Sequence, residues 1–483
     1  MSKEFPYIEK LQHIAARQKV SVYLVGGYLR DYVLKRENHD FDFAVQNNAL
    51  KLAKNFADQI KGSYILLDED HGCARVVKKE KGKILTFDFA DFRASTIEDD
   101  LKNRDFTINT LVADIQKLKS LDTIDDLIED KKRALKDIQS GRIKRTSIKA
   151  LRDDPLRMMR AFSLKAVLDF RIELSTLNQI KKEKDLLRDV SPERVRDELF
   201  KILESERTTT VLKEMDRYGL LSVVIPQIRI MAGCSQGGYH HLDVWPHSLE
   251  AVFQMEKILK SPEKLGLSSL DELNAYLNTD LGGGRSRRAL MKLGCLLHDI
   301  GKPETRKKEG ERYTFHGHEH AGQKIVKEIA KMLKLSTKER HALEDMVRWH
   351  LRPGYLSNFK KPSDRAVFRY FRDTEDESVS ILLLSLADQR ATRGPLTTDS
   401  DQKHHENICL GLVHEYFEKQ KEEPFVPLIN GNDLIKTLKL KPSPLFKLVL
   451  DEVEEQQVLQ KIKTKTQAMT LARKLVKEKK DPE

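Results

Sequence analysis

The five residues His39-Asp40-Phe41-Asp42-Phe43 carry the most chemical promise in the chain. Side chains alternate on a β-strand, so positions 40 and 42 share one face while Phe41 and Phe43 turn to the other, toward a core. Two neighbouring carboxylates offer hard oxygen ligands that suit Mg²⁺ and leave positions open for phosphate oxygens. Upstream, the apolar run SVYLV (21–25) meets Gly26 and Gly27, and YLRDYVLK follows as a helix. Glycines at a strand-to-helix junction let the backbone approach a ligand closely, and a new helix presents N–H groups to an anion such as a triphosphate. Each half has an ordinary alternative, a tight turn needing small residues or a half-exposed edge strand. Set side by side, they point to metal-assisted phosphate chemistry.

A second constellation lies in Asp153-Asp154-Pro155-Leu156-Arg157. Spacings of three and four place the acids and the arginine on one face of a helix, where a plain surface ion pair is the commonest outcome. A third is a concentration of imidazole: more than half of the 15 histidines fall between 240 and 350.

The elements that must position these residues differ along the chain. Residues 21 to 145 mix short apolar strands (SVYLV, FDFAV, SYILL, KILTFDF) with helical stretches, the pattern of an α/β or α+β domain. Beyond about 150 the apolar residues recur every three or four positions, as in DPLRMMRAFSLKAVL, ERVRDELFKILES, SRRALMKLGCLLHDI and SVSILLLSLADQRA, which predicts a mainly helical body. Boundaries are expected at SGRIKRTS (140–147), SQGGY (235–239) and KEEPFVP (421–427). The stretch VLQKIKTKTQAMTLARKLVKEKK reads as one amphipathic basic helix, suited either to RNA or to solvent.

Bulk properties narrow the class. A length of 483 residues implies several domains in series. A 39% hydrophobic and 33% charged composition belongs to a folded, soluble chain. No apolar run approaches a membrane span and MSKEFPYIEKL lacks a signal-peptide pattern, so a cytoplasmic, membrane-free protein is expected. The net charge of +11 favours a polyanionic partner. Cys73, Cys234, Cys295 and Cys409 are scattered singly, which excludes a disulfide framework and predicts reduced, mostly buried thiols.

The succession LVGGYLRD, DFDFAV, NRDFTINTLVAD (103–114), LRDDPLRMMRAFSL (151–164) and SPERVRDELFKIL (191–203) resembles the tRNA nucleotidyltransferases, a family that includes CCA-adding enzymes and bacterial poly(A) polymerases. The resemblance implies that Asp40 and Asp42, with Asp88 as third carboxylate, are catalytic, the first two holding Mg²⁺ in a two-metal mechanism. Gly26, Gly27, Arg30, Arg104, Asp105 and Asn109 would bind nucleotide, the two arginines as triphosphate contacts. Asp153, Asp154, Arg157 and Arg160 would form the amino-acid template. Cytosine and adenine both offer an amino donor beside a ring-nitrogen acceptor, so Asp154 taking the amino hydrogen and Arg157 donating to the ring nitrogen would accept C and A alone.

Several positions depart from the family pattern. Asn103 stands in place of an arginine, Asp153 in place of a glutamate, and Ser163 where an arginine is common. Only nine residues, ASTIEDDLK, separate Arg93 from Asn103, where members that add the terminal A carry a longer flexible loop. The resemblance therefore implies a CC-adding enzyme taking CTP, with ATP as a second candidate substrate and a separate A-adding enzyme acting after it. Full CCA addition, A addition and poly(A) synthesis stay open as alternatives.

The order His247, His298-Asp299 in LLHDIGK, then Asp388 in LSLADQR resembles the HD phosphohydrolase domain, and His318 and His350 match positions that hold a second metal in some members. Imidazole with carboxylate suits Mn²⁺, Ni²⁺, Fe or Zn²⁺ better than Mg²⁺. On a helix, neighbours such as His298 and Asp299 diverge by about a quarter turn and could share an ion. The domain would trim 2′,3′-cyclic or damaged ends, or only hold RNA. A metal phosphohydrolase with an RNA-binding head is the alternative from another class, against which intact Asp40 and Asp42 weigh. The expected architecture is α+β. A nucleotidyltransferase head of mixed sheet and helices (1–145) precedes a helical neck with the template (146–220), an HD domain (221–420) and a helical RNA-binding tail (421–483).

Overall fold

The computed structural model describes residues 5–480 apart from 81, 237–241, 311, 395–397, 424 and 442, and gives only the backbone of 122, 123, 479 and 480. The boundary expected at 235–239 falls largely outside them. Two compact units emerge, Met1–Ser205 with Glu214–Val224, and Glu206–Lys213 with Ile225–Glu483.

The first unit is built on a six-stranded sheet of β1 (Val22–Val25), β2 (Asp40–Val45), β3 (Ser63–Asp68), β4 (Cys73–Glu80), β5 (Lys83–Asp91) and β6 (Val112–Asp114). Their order is β3-β4-β5-β2-β1-β6. Only β2 and β5 run parallel, with Asp42 opposite Asp88 and Phe43 opposite Phe89. The alternation in DFDFAV explains the strand. Phe41 stacks on Phe87 and Phe43 on Phe89, each pair with ring centroids 5.1 Å apart. Phe56 of helix α3 (Ala49–Ile60) meets Phe87 and Phe89 edge-on. Helix α1 (Phe5–Gln18) packs against α3 over the same face. Each such buried ring stabilises the fold by roughly 1.5–3 kcal/mol, which fixes the strand's face and turns the acids away from the core. Strands β4 and β6 were not expected from the apolar runs.

Helix α2 (Gly27–Val33) follows β1, and the short α4 (Ile97–Lys102), N-capped by Thr96, fills the interval between Arg93 and Asn103. The predicted continuous face across 153–157 does not form. Helix α5 (Ala150–Asp153) ends there, Asp154 is extended at φ −143°, and α6 (Arg157–Leu168) starts anew. Pro155 lacks an N–H and disfavours helical geometry in the residue before it, which breaks the helix between the acids and the arginine. Helix α7 (Pro192–Glu204) packs on α6.

The second unit is helical, as the periodicity predicts, with α8 (Val244–Lys260), α9 (Arg287–Leu297), α10 (His318–Met332), α11 (Thr337–Trp349), α12 (Asp364–Thr374) and α13 (Ser378–Ala391). Helix α13 is apolar all round and buried along most of its length, and it contacts α8, α9, α11 and α12. Two small hairpins, Asp280–Gly282 with Arg285–Ser286 and Lys307–Glu309 with Arg312–Thr314, interrupt the helices. The basic stretch expected as one helix over 458–480 is broken. Helix α14 (Pro444–Val458) ends first, Gln460 turns left-handed at φ 56°, and α15 (Lys465–Lys480) follows. Val449 and Val453 of α14 pack with Ala468 and Ala472 of α15. The buried carboxylate of Glu455 receives Arg369 Nε at 2.6 Å and also binds Arg365. Among the described residues no helix is long and apolar enough to cross a membrane, and all four cysteines are free thiols.

Candidate active site and metal centre

Strands β1, β2 and β5 with the neck helices enclose a cleft of about 370 Å³. Gly26 occupies the turn at φ +76°, and a Cβ there would lie 2.8 Å from Asp42 Oδ2. That contact and the positive φ together require glycine. The Gly27 N–H donates to Asp42 Oδ2 at 3.3 Å, so the turn orients the carboxylate. Burial, then the neighbouring Asp88, pushes the Asp42 carboxyl up to about 6, with Arg104 and the Gly27 N–H pulling the other way. Asp40 is solvent-exposed at the start of β2 and Phe41 is buried beside it, as the alternation predicts. Asp88 is gripped at both oxygens by Arg75, each bond 2.7 Å long.

Of the other expected residues, Gly26, Gly27, Arg104, Asp105, Asn109, Asp154, Arg157 and Arg160 line the cleft with Asp42 and Asp88, whereas Arg30, Asp40 and Asp153 do not. Arg30 is buried, donating at 2.9 Å to each oxygen of Asp31 and at 2.8 Å to Asn109 Oδ1. Asn109 Nδ2 donates to Asp105 Oδ1 at 3.0 Å, and Arg160 Nε to Asp105 Oδ2 at 2.9 Å. Burial, the largest single influence, would raise the Asp105 carboxyl, but the Arg160 charge together with the hydrogen bonds from Asn109 and the Phe106 N–H and the Arg157 charge outweighs it and holds the group down at about 2. Arg157 Nη1 donates to Ala150 O at 3.0 Å and Nη2 to Asn103 O at 2.9 Å, so two backbone carbonyls fix its guanidinium. Asp153 ends α5 exposed to solvent.

Sequence reasoning missed three charged partners. Besides Arg75, these are Asp100, which receives Arg104 Nη2 at 3.2 Å and the Arg93 N–H at 3.0 Å, and Arg194, which binds Asp154. Arg75–Asp88 and Arg194–Asp154 pair residues from separate elements, for which the strand and helix periods carry no signal, whereas Asp100–Arg104 is an i,i+4 pair across the end of α4 that spacing could have found.

In the second unit His247, His298 and Asp388 form one group of possible metal ligands, and Asp299, His318 and His350 another. His298 and Asp299 are thus split between groups, and α9 ends at Leu297, so they lie on the turn after it and not on a helix as expected. Asp299 stands between the groups, with Oδ2 3.2 Å from His298 Nε2 and Oδ1 3.4 Å from His318 Nε2. His247 Nε2 lies 2.8 Å from Asp388 Oδ1, and the Nε2 atoms of His318 and His350 are 3.2 Å apart. The Nδ1 atoms of His298, His318 and His350 lie 2.8, 2.9 and 2.8 Å from the carbonyls of Cys295, Phe315 and Val347, each three residues earlier. In a neutral ring a proton on Nδ1 would leave Nε2 as the inward lone pair that a metal ligand needs. Without a metal, burial would lower His298, but Asp299 and Asp388 overcome it and raise the ring to about 10. Burial, reinforced by the neighbouring imidazoles, pushes His350 down to about 3. Burial would raise Asp299, but the charges of His298 and Lys302 hold it well below the usual carboxylate range. Four buried imidazoles facing two carboxylates fit a cation better than they fit each other.

Comparison with known proteins matches four family models along the chain. Residues 22–144 match the Poly A polymerase head domain, 169–231 the model described as "Probable RNA and SrmB- binding site of polymerase A", 244–393 the HD domain and 425–472 tRNA nucleotidyltransferase domain 2. The chain is 30% identical over 463 residues to an A-adding tRNA nucleotidyltransferase of Deinococcus radiodurans, covering 94% of this chain and 95% of the relative. It is 28% identical to a CC-adding tRNA nucleotidyltransferase of Thermus thermophilus, covering 92% and 91%. Among solved structures, the Thermotoga maritima CCA-adding enzyme complexed with tRNA-CCA shares the fold with a TM-score of 0.58 at 19% identity, covering 99% of this chain and 96% of that one. A CCA-adding enzyme in complex with CTP gives 0.60 at 20% identity, covering 97% and 94%.

Proposed function

This chain belongs to the tRNA nucleotidyltransferase family, and from that premise we propose that it adds two CMP residues from CTP to tRNA 3′ ends lacking CCA. The observation that carries the CC limit is the interval 94–102. Its only element is the capped helix α4, tied at Asp100 to Arg104 and to the Arg93 backbone, with no length to spare for a flexible loop.

Asp40 and Asp42 would hold Mg²⁺. The fit rests on Asp42, a part-buried carboxylate facing Asp88 across β2–β5 and oriented by the Gly27 N–H; its proton affinity is raised by burial first and by Asp88 second, and a dication would relieve both. Magnesium bound there supplies activation of the RNA 3′ hydroxyl and charge neutralisation on the triphosphate. Gly26 and Gly27 would keep Asp42 in place and Arg104 would face the triphosphate. Arg30, buried against Asp31 and Asn109, would support that wall rather than touch the ligand. Asp154 and Arg157 would read the base edge.

The test offers tRNA ending before CCA, after C and after CC, with each labelled nucleotide. Two C additions and no A are expected. A second reading, A addition, is favoured by the Deinococcus relative, which covers nearly the whole chain, and a single A added only to the CC end would establish it. Long A tails would establish poly(A) synthesis.

For the second unit we infer a divalent transition-metal centre of the HD type, acting on a phosphoester such as a 2′,3′-cyclic RNA end. The buried ligand groups support it. Hydrolysis of 2′,3′-cyclic AMP by the metal-loaded protein, abolished in Asp299→Ala, tests it. A metal-loaded protein inert on cyclic and linear phosphoesters would leave RNA holding as the domain's role.

A further inference from the structure

The block SPERVRDELFKIL takes no part in the chemistry so far, yet two of its side chains reach back to the template. From α7, Arg194 Nη2 donates to Asp154 Oδ2 at 2.9 Å across 40 residues of chain. The other oxygen, Oδ1, receives the Leu156 N–H at 3.2 Å. One turn further along α7, Glu198 accepts Ser163 Oγ and stands 3.8 Å from Arg160 Nη1. Ser163, the position where an arginine is common, is therefore occupied with this same frame.

The two template residues are held in different ways. Arg157 is buried and anchored by two backbone carbonyls, so its guanidinium is fixed by the fold. Asp154 sits in the break caused by Pro155, in extended geometry, with no helix around it. The Leu156 N–H and Arg194 orient its carboxylate, one at each oxygen.

We propose that Arg194 is a positioning residue for base choice. It orients the Asp154 carboxylate so that a remaining lone pair accepts the exocyclic amino group of cytosine. Each carboxylate oxygen has two lone pairs, so the bonds already made leave acceptor capacity for the base. The proposal rests on the assignment of Asp154 to the template. The Arg194 side chain is 54% exposed and that of Asp154 27%, so the pair contributes little to stability. Its contribution lies in orientation.

The experiment compares wild type with Arg194→Ala, Arg194→Lys, Asp154→Asn and the double variant Arg194→Ala/Asp154→Asn. The full-length protein is given tRNA lacking CCA, and kcat and KM are measured for CTP and for UTP alongside the thermal midpoint. In Arg194→Ala the preference for CTP over UTP should fall about tenfold, mainly through KM for CTP. The midpoint should not move, Arg194→Lys should restore part of the preference, and the double variant should match Asp154→Asn. Wild-type preference in Arg194→Ala with loss in Asp154→Asn would overturn the positioning role and leave Asp154 as template. Equal losses for CTP and UTP with a lowered midpoint would overturn it in favour of a structural role. Wild-type preference in Asp154→Asn would remove the template assignment and this proposal with it.

Discussion

Asp42 and Asp88 face one another across the parallel pair β2–β5, and Arg75 from β4 holds Asp88 by both carboxylate oxygens. Three charges on three adjacent strands thereby form one unit. Removing the acid beside the glycine turn should be felt most: Asp42→Asn is expected to lower the single-turnover rate of nucleotide addition by about 10³-fold, the scale at which one electrostatic group in an active site counts. Arg75→Ala frees Asp88 to swing and leaves its charge uncompensated, so a smaller loss, about tenfold in kcat, is expected with near-UV dichroism unchanged. Wild-type kcat in Arg75→Ala would remove Arg75 from the site's support.

Gly26 gives a steric test of the same carboxylate. Alanine there must tolerate φ +76° and place its Cβ 2.8 Å from Asp42 Oδ2. The backbone strain costs about 1–3 kcal/mol, and the clash drives the carboxylate off the Gly27 N–H. Gly26→Ala should lower the thermal midpoint by several degrees and also lose about 10²-fold in kcat. A midpoint shift without loss of rate would show that the turn does not orient Asp42.

The part of this site legible in the sequence is the part that a single element's period encodes. In DFDFAV the phenylalanines have a core to fill, so the acids must turn outward, and the strand's face follows from five residues. The glycine turn is legible because glycine tolerates the positive φ and the close approach that such a strand-to-helix junction demands. The template was read on the wrong geometry: spacing suggested a helix face, and Pro155 at its centre, visible in the sequence, overrode it. Arg75 and Arg194 were invisible, because an ion pair between β4 and β5, or between α7 and the 154 break, depends on how elements are brought together. The small hairpins at 280–286 and 307–314 were missed because three-residue strands are too short to show a period.

Asp345 on α11 provides a pH test away from the nucleotide cleft. Burial first, then Glu377, Glu344 and Glu375, raise its carboxyl to about 6. A carboxyl raised on folding keeps its full contribution to stability below its unfolded value near 4, and that contribution is lost as pH rises through 6. Asp345→Asn removes the charge, so the variant should melt above wild type at pH 8 and gain little or nothing at pH 4. Equal shifts at both pH values would show that the charge of Asp345 is not what destabilises α11.

The two ligand groups of the second unit meet at Asp299, which belongs to the group of His318 and His350. His318 belongs to one group and His247 to the other, while Asp299 lies within 4 Å of imidazoles from both. If each group takes an ion, His318→Ala and His247→Ala should each leave one ion per chain by elemental analysis after gel filtration, and Asp299→Ala should leave none. Binding to the folded state alone stabilises it, by about 2.7 kcal/mol at a free metal concentration 100 times Kd. Chelation of the wild type should therefore lower the thermal midpoint, and chelation of Asp299→Ala should not. The apparent metal affinity should fall as pH drops below the histidine range, since protons compete for the same Nε2 atoms. One ion per chain in the wild type, lost equally in all three variants, would mean a single centre assembled from all six side chains.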